Sequence, residues 1–161
     1  MNLTMIVAIS ENNVIGIGDK IPWRIKEDTI RFKKLTLNHS VIMGRKTYGS
    51  IPEKFRPLPD RKNIILSKTL EAQNGIYTAR NIDEALHFAG DKDAYIIGGR
   101  EIYKIFLSFA NKFELTRVHK NYQGDVFFPK VDWNKWDLIN DSGRFSTNEG
   151  IKYSFLTYNR R

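Results

Sequence analysis

The chain contains no cysteine and only three histidines, which removes whole classes of chemistry at the outset. Disulfides, thiolate nucleophiles and cysteine-bound metals are excluded. His39, His87 and His119 are scattered, with neither an H-E-x-x-H pattern nor a paired spacing, so no metal site is expected. No apolar run is long enough to cross a membrane, and residues 1–10 lack the basic flank of an export signal. The expectation is a cytoplasmic monomer with no membrane partner. Repeats, low-complexity tracts and linkers are also missing, which points to a single domain over residues 1–161.

What is present is an ordinary globular balance, 41% hydrophobic and 27% charged, in a chain long enough to bury a substantial core. The net charge of +8 raises the question of nucleic acid. The cations are dispersed among 18 acids without a Lys/Arg-dense run, so nucleic acid is not expected as a partner. Attraction of an anionic small molecule, such as a phosphorylated cofactor, accounts for the same excess.

Continuous apolar runs at 3–9, 41–43, 63–67 and 94–97 read as strands buried on both faces. Residues 76–79 read as an edge strand. Helices are expected at 27–37, with Ile30, Leu35 and Leu37 among its apolar positions, and at 83–89 and 100–109. A short helix starts at Arg45 and is stopped by Gly49 and Pro52. Residues 11–26 and 53–61 read as loops. The tail turns to β at 112–119, around 137–139 and at 151–158. Alternating strand and helix followed by strands predicts an α/β fold with a mixed, mainly parallel sheet and a C-terminal antiparallel hairpin at one edge.

Three strand ends are suited to phosphate. At Gly44-Arg45-Lys46-Thr47 a glycine admits a ligand to the backbone, a new helix offers free N–H groups, and two cations and a hydroxyl follow. His39 stands where a P-loop needs its first glycine, so a nucleotide triphosphatase is excluded. Gly98-Gly99 removes two Cβ atoms where a ring or pyrophosphate would press on backbone, although a tight turn uses the same pair. Ser67-Lys68-Thr69 offers hydroxyls and a cation for a phosphate monoester. Gly16-Ile17-Gly18 only begins a G-x-G-x-x-G pattern, because Ile21 stands at the third glycine; a loop over the site is the better reading. Beyond it, Asp28 is a lone acid near Ile25, Ile30 and Phe32. It suits a flat hydrogen-bonding heterocycle, or else caps a helix.

Val14-Ile15-Gly16, Ile21-Pro22-Trp23, Asp28, Phe32, Val41-Ile42-Met43-Gly44-Arg45-Lys46-Thr47, Arg56-Pro57-Leu58-Pro59-Asp60-Arg61-Lys62-Asn63, Ile97-Gly98-Gly99, Ile102-Tyr103, Gly124-Asp125 and Phe128-Pro129 together resemble the dihydrofolate reductase family. The resemblance runs in order over nearly the whole chain, weakening between residues 70 and 94 and after Pro129. It implies an eight-stranded sheet flanked by about four helices, with NADPH as cofactor. It also implies hydride transfer to C6 of 7,8-dihydrofolate, protonation at N5, and antifolates as further ligands.

By the same resemblance, Asp28 accepts paired hydrogen bonds from the pterin and Thr116 bonds near it, directly or through water. Ile21 borders a water that carries the proton, and Trp23 holds an ordered water or simply packs. Ile6, Val7, Thr29, Phe32, Lys33, Ile51, Leu58 and Ile97 would line the substrate, and Arg61 would clamp its α-carboxylate. For the cofactor, the resemblance implies Ala8, Ile15, Gly16, Asp19 and Lys20 on the nicotinamide and loop side. Gly44, Arg45, Lys46, Thr47, Leu66, Ser67 and Lys68 fall on the adenosine-phosphate side. Ile97, Gly98, Gly99, Arg100, Glu101, Ile102 and Tyr103 fall on the ribose and pyrophosphate side, with a cis bond between the two glycines.

The departures are Thr29 in place of a leucine, the longer 51–56 loop, and Arg100 in place of a third glycine. Two rivals stay open: a related-fold reductase of a riboflavin precursor, and a non-catalytic binding protein.

Overall fold

A computed structural model describes all 161 residues. Ten strands and four helices follow one another as β1 (Leu3–Ser10), β2 (Val14–Gly16), α1 (Lys26–Thr36), β3 (Ser40–Gly44), α2 (Arg45–Ser50), β4 (Lys62–Leu66), β5 (Ile76–Ala79), α3 (Ile82–Ala89), β6 (Ala94–Gly98), α4 (Arg100–Phe106), β7 (Lys112–Val118), β8 (Val126–Phe127), β9 (Trp136–Ser146) and β10 (Lys152–Arg160). Eight of the strands make one sheet in the order β5-β4-β3-β6-β1-β7-β10-β9. Pairing is parallel from β5 to β7, and β10 then runs antiparallel to both β7 and β9. The expected mixed sheet, edge strand and terminal hairpin are all present.

The parallel strands are apolar on both faces because helices and loops cover both faces. Met5, Ile9, Ile42, Ile64, Ile96 and Leu115 are fully buried within the sheet. Phe106 from α4 and Phe113 from β7 fill one side, where Phe113 meets Trp136 edge-on at 4.7 Å. At a distance from this cluster, Trp23, Ile25, Val118 and Tyr153 form a small core of their own.

The segment at 11–26 is not an uninterrupted loop. Val14–Gly16 pairs with Val126–Phe127 in a separate two-stranded sheet, too short to leave a periodic signal. The carboxylate of Asp125 accepts the Gly18 N–H at 2.9 Å, and Asn13 and Phe128 exchange further bonds. Helix α4 ends at Phe106 rather than 109, with the Ala110 N–H closing back on Phe106. Gly49 does not stop α2 but lies inside it. Ser67 lies just past β4, where its hydroxyl accepts the N–H groups of Thr69 and Leu70. The strand expected around 137–139 extends over eleven residues of an edge strand, all exposed except Trp136. Ile30 is 51% exposed, so it is no core position, and Leu37 caps α1 instead of belonging to it.

Gly124 is the most crowded of the glycines: a Cβ there would lie 2.4 Å from Val14 Cγ1 and 2.6 Å from the Gly16 carbonyl. Gly124→Ala should therefore cost about 1–3 kcal/mol in urea denaturation, as overpacking does. Gly49→Ala, with open space around its Cβ, should change stability by less than about 1 kcal/mol. Equal midpoints for the two variants would contradict this packing of β2.

Candidate active site

The functional features converge on the C-terminal ends of the parallel strands, the usual position for ligands in open α/β sheets. A cleft of about 1000 Å³ opens there. Its floor takes Val7 and Ala8 from β1, Gly44 from β3, Leu66 from β4, and Ile97 and Gly98 from β6. Its walls are the 15–21 loop, the first turns of α2 and α4, and Ser67-Lys68-Thr69.

The cleft is chemically two-ended. Arg45, Lys46 and Lys68 lie with Thr47, Ser67 and Thr69 around one part, while Val7, Ala8, Ile15, Ile21 and Ile97 make another part apolar. Helix α2 has only six residues, so these side-chain cations, more than a helix dipole, give that end its attraction for anions. Gly98 has φ 120°, a conformation open to glycine, and a Cβ there would meet the Tyr103 ring at 3.3 Å. The Gly98–Gly99 peptide bond is cis. Size, flat apolar end and cationic end fit a phosphorylated dinucleotide. All nineteen residues assigned to a cofactor from the sequence line this one cleft, namely Ala8, Ile15, Gly16, Asp19, Lys20, Gly44, Arg45, Lys46, Thr47, Leu66, Ser67, Lys68, Ile97, Gly98, Gly99, Arg100, Glu101, Ile102 and Tyr103. Sequence reasoning did not assign Gly18, Gly49, Ser50, Thr69 or Val126, which also line it. Thr69 and Gly18 belonged to motifs already in view; Val126 had no local signal.

Asp28 is not a helix cap. The cap position of α1 is Ile25, and Asp28 falls in the helix's first turn. Its Oδ1 accepts a direct hydrogen bond of 2.5 Å from Thr116 Oγ1 on β7, and its Oδ2 takes no hydrogen bond from the chain. Burial pushes the Asp28 carboxyl above its ordinary range; the Thr116 hydroxyl and the Arg31 cation pull it only partly back. Neither Asp28 nor Thr116 lines the cleft itself; Tyr103, which does, feels the Asp28 charge. Its phenol donates to the Ile6 carbonyl at 2.9 Å, and burial and the Asp28 charge both raise it.

The remaining residues assigned to substrate are more dispersed. Val7, Ile21 and Ile97 line the cleft, with Ile21 62% exposed at its rim. Ile51 and Leu58 pack with Ile97 against a cluster of Val41, Met43, Ile65 and Ile76. Ile6 is buried in β1, Phe32 is half-buried on α1, and Thr29 and Lys33 are exposed on the same helix. Arg61 does not reach the cleft. Its guanidinium donates to the Pro59 carbonyl at 2.9 Å and to Thr36 Oγ1 at 3.2 Å, beside the last turn of α1. Trp23 packs against Tyr122, 5.0 Å away, and does not line the cleft.

A family model described as dihydrofolate reductase matches residues 2–160. The dihydrofolate reductase of Neisseria meningitidis serogroup B is 39% identical over 162 residues, covering 99% of both chains. That of Haemophilus influenzae is 39% identical over 164 residues, covering 100% of both. Among solved structures, a dihydrofolate reductase from Enterococcus faecalis complexed with NADP(H) and RAB-propyl is similar, with a TM-score of 0.89 and 28% identity. That match covers 99% of this chain and 96% of the other.

The raised Asp28 carboxyl has a consequence for stability. The folded protein holds that proton more tightly than the unfolded chain, so stability falls as pH rises from the ordinary value of 3.8 through the raised one. Above that window the penalty is complete. Asp28→Asn, which can still accept from Thr116, should therefore raise Tm at pH 7, and the gain should shrink as the pH approaches 3.8. An unchanged or lower Tm at pH 7 would show that the carboxylate is not strained by burial.

Proposed function

The chain belongs to the dihydrofolate reductase family, and we propose that its site reduces 7,8-dihydrofolate to 5,6,7,8-tetrahydrofolate with NADPH. The observation that carries this reading is a single half-buried carboxylate, Asp28, held by Thr116 beside a cleft that is apolar at one part and cationic at another.

Arg45, Lys46, Thr47, Ser67 and Lys68 would hold the phosphate-bearing end of NADPH, and Ala8, Ile15, Ile97, Gly98 and Gly99 its nicotinamide end. When bound, NADPH supplies the hydride. Asp28 accepts from two donors on one edge of the pterin, a geometry that a carboxylate suits and a single hydroxyl does not. Thr116 fixes the carboxylate's rotamer by occupying Oδ1. Asp28 does not itself protonate N5. Ile21, exposed at the rim of the cleft, admits the water that does, and the Gly18–Asp125 bond restrains the loop that carries it. Ile6, Val7, Phe32, Ile51, Leu58 and Ile97 form apolar walls for the rings, with Thr29 and Lys33 on the α1 side. Arg61 takes the substrate's α-carboxylate by turning away from its carbonyl partner. Burial pulls the Arg61 guanidinium below its ordinary value, against the nearby Asp60 charge, which leaves it receptive to a carboxylate.

A monomer is the working unit in this reading. A cytoplasmic setting belongs to the same reading; no helix is long and apolar enough to cross a membrane. Antifolates that mimic the pterin edge would compete at Asp28.

Dihydrofolate-dependent loss of NADPH absorbance tests the reaction, with NADH and a riboflavin precursor run in parallel; turnover should require dihydrofolate and favour NADPH. Asp28→Asn should lower kcat/KM on the order of a hundredfold at neutral pH, the size of two charge-assisted hydrogen bonds, and by less in acid. A loss of the same size at every pH would contradict the proposed role of Asp28. Replacing Arg45 and Lys68 by alanine should reduce the NADPH-over-NADH preference by roughly tenfold or more. If the preference survives that double change, the phosphate end has been assigned to the wrong residues.

A further inference from the structure

Helix α1, which carries Asp28, has little apolar hold on the sheet: Thr36 is its only buried residue. Its seating depends on polar ties, and one of them is not used by the chemistry. Arg31 Nη2 meets Glu114 Oε2 of β7 at 2.6 Å. Glu114, with a side chain 6% exposed, also accepts from Thr157 Oγ1 of β10 at 2.8 Å and faces Lys112 Nζ at 3.3 Å. The Arg31 guanidinium lies 4.6 Å over the Phe155 ring.

The register makes this a two-rung arrangement. Asp28 and Arg31 are three residues apart and share a face of α1. Thr116 and Glu114 are two apart and share a face of β7. Across to β10, Thr116 is opposite Phe155 and Glu114 is opposite Thr157. One rung is Asp28–Thr116; the other is Arg31–Glu114, anchored from behind by Thr157 and stacked on Phe155. A buried ion pair is seldom worth more to stability than apolar residues of similar volume. Stability alone is therefore a poor reason for this one, and its alignment with the Asp28 rung supplies a better one.

We propose that Arg31 and Glu114 are a positioning pair for Asp28. The pair fixes the rotation and height of α1 on β7, and so the direction in which the free carboxylate oxygen meets the substrate's donors, while the Arg31 cation sets the field in which that carboxylate carries its charge. The inference rests on the substrate reading above. Asp28 is faced by Thr116 from β7, by Arg31 from its own helix, by Tyr103 from α4 and by Tyr153 from β10, whose phenol also feels Glu27. Arg31 is the cation among them. Glu114 is in turn faced by Lys112, Thr157 and Tyr95 of β6.

The two ends of the pair should act on Asp28 in opposite directions. In the full chain saturated with NADPH, the Asp28 carboxyl is titrated through its side-chain carbon by NMR. Arg31→Met should move the midpoint up by roughly half a pH unit or more, and Glu114→Gln should move it down, as expected for single charges partly open to water. Arg31→Lys should recover the midpoint. Arg31→Met should also raise KM for dihydrofolate about tenfold while changing kcat less. Should a single variant fold poorly, the double variant Arg31→Met/Glu114→Leu decides: it should keep a Tm near that of the parent, with KM still raised. Midpoints that stay put in all variants, or a KM that never moves, would overturn the proposal. A parent chain that does not oxidise NADPH with dihydrofolate overturns the substrate reading instead, and leaves the midpoint comparison standing.

Discussion

The site depends on one hydrogen bond between two elements that share almost no apolar surface. Thr116 on β7 donates to Asp28 on α1, and that contact holds a carboxylate from a surface helix against an interior strand of the central sheet. Burial makes the carboxylate costly to ionise, so the fold holds a strained group in place. In the proposed reading a substrate edge with two donors would relieve that strain, which would make the carboxylate selective for a donor-rich heterocycle. Placement and proton affinity are thus one constraint seen from two sides.

The sheet's topology supplies the other half. Strand order places β3, β6 and β1 side by side with their C-terminal ends together, so short glycine-bearing turns from distant parts of the chain open on one cleft. Cations on the turns after β3 and β4 and bare backbone at the end of β6 give the cleft a directional character without any metal-ligand cluster. The loop over it is held from beyond, by β8 and by Asp125, so its restraint comes from a strand far along the chain.

Much of this was legible in the residues. Continuous Val/Ile runs marked the parallel strands, since burial on both faces leaves no alternation to misread. Glycine-plus-cation turns marked the phosphate end, because their chemistry is local. Elsewhere a local reading failed for definite reasons. Strand β2 is three residues long and exists only through its pairing with β8. Asp28 read as a cap or a ligand; the cap falls because α1 starts one turn earlier, capped at Ile25, and the partner of its carboxylate, Thr116, lies 88 residues away, beyond any local signal. Ile30 carried an apolar signal but points outward, because α1 is tied down by Arg31 and Glu114 and not by an apolar face. For Arg61 the resemblance alone suggested a clamp, and no local signal showed that its guanidinium rests against Pro59 and Thr36.

The central claim is that Asp28 fixes how the pterin lies against the cleft. It is tested most directly by where hydrogen from the cofactor ends up. With NADPH deuterated at its transferable position, the tetrahydrofolate formed should carry the label only at C6 and on one face of the ring, as NMR of the product would show. Label divided between the two faces of C6 would mean that the carboxylate does not orient the ring, and would contradict the account.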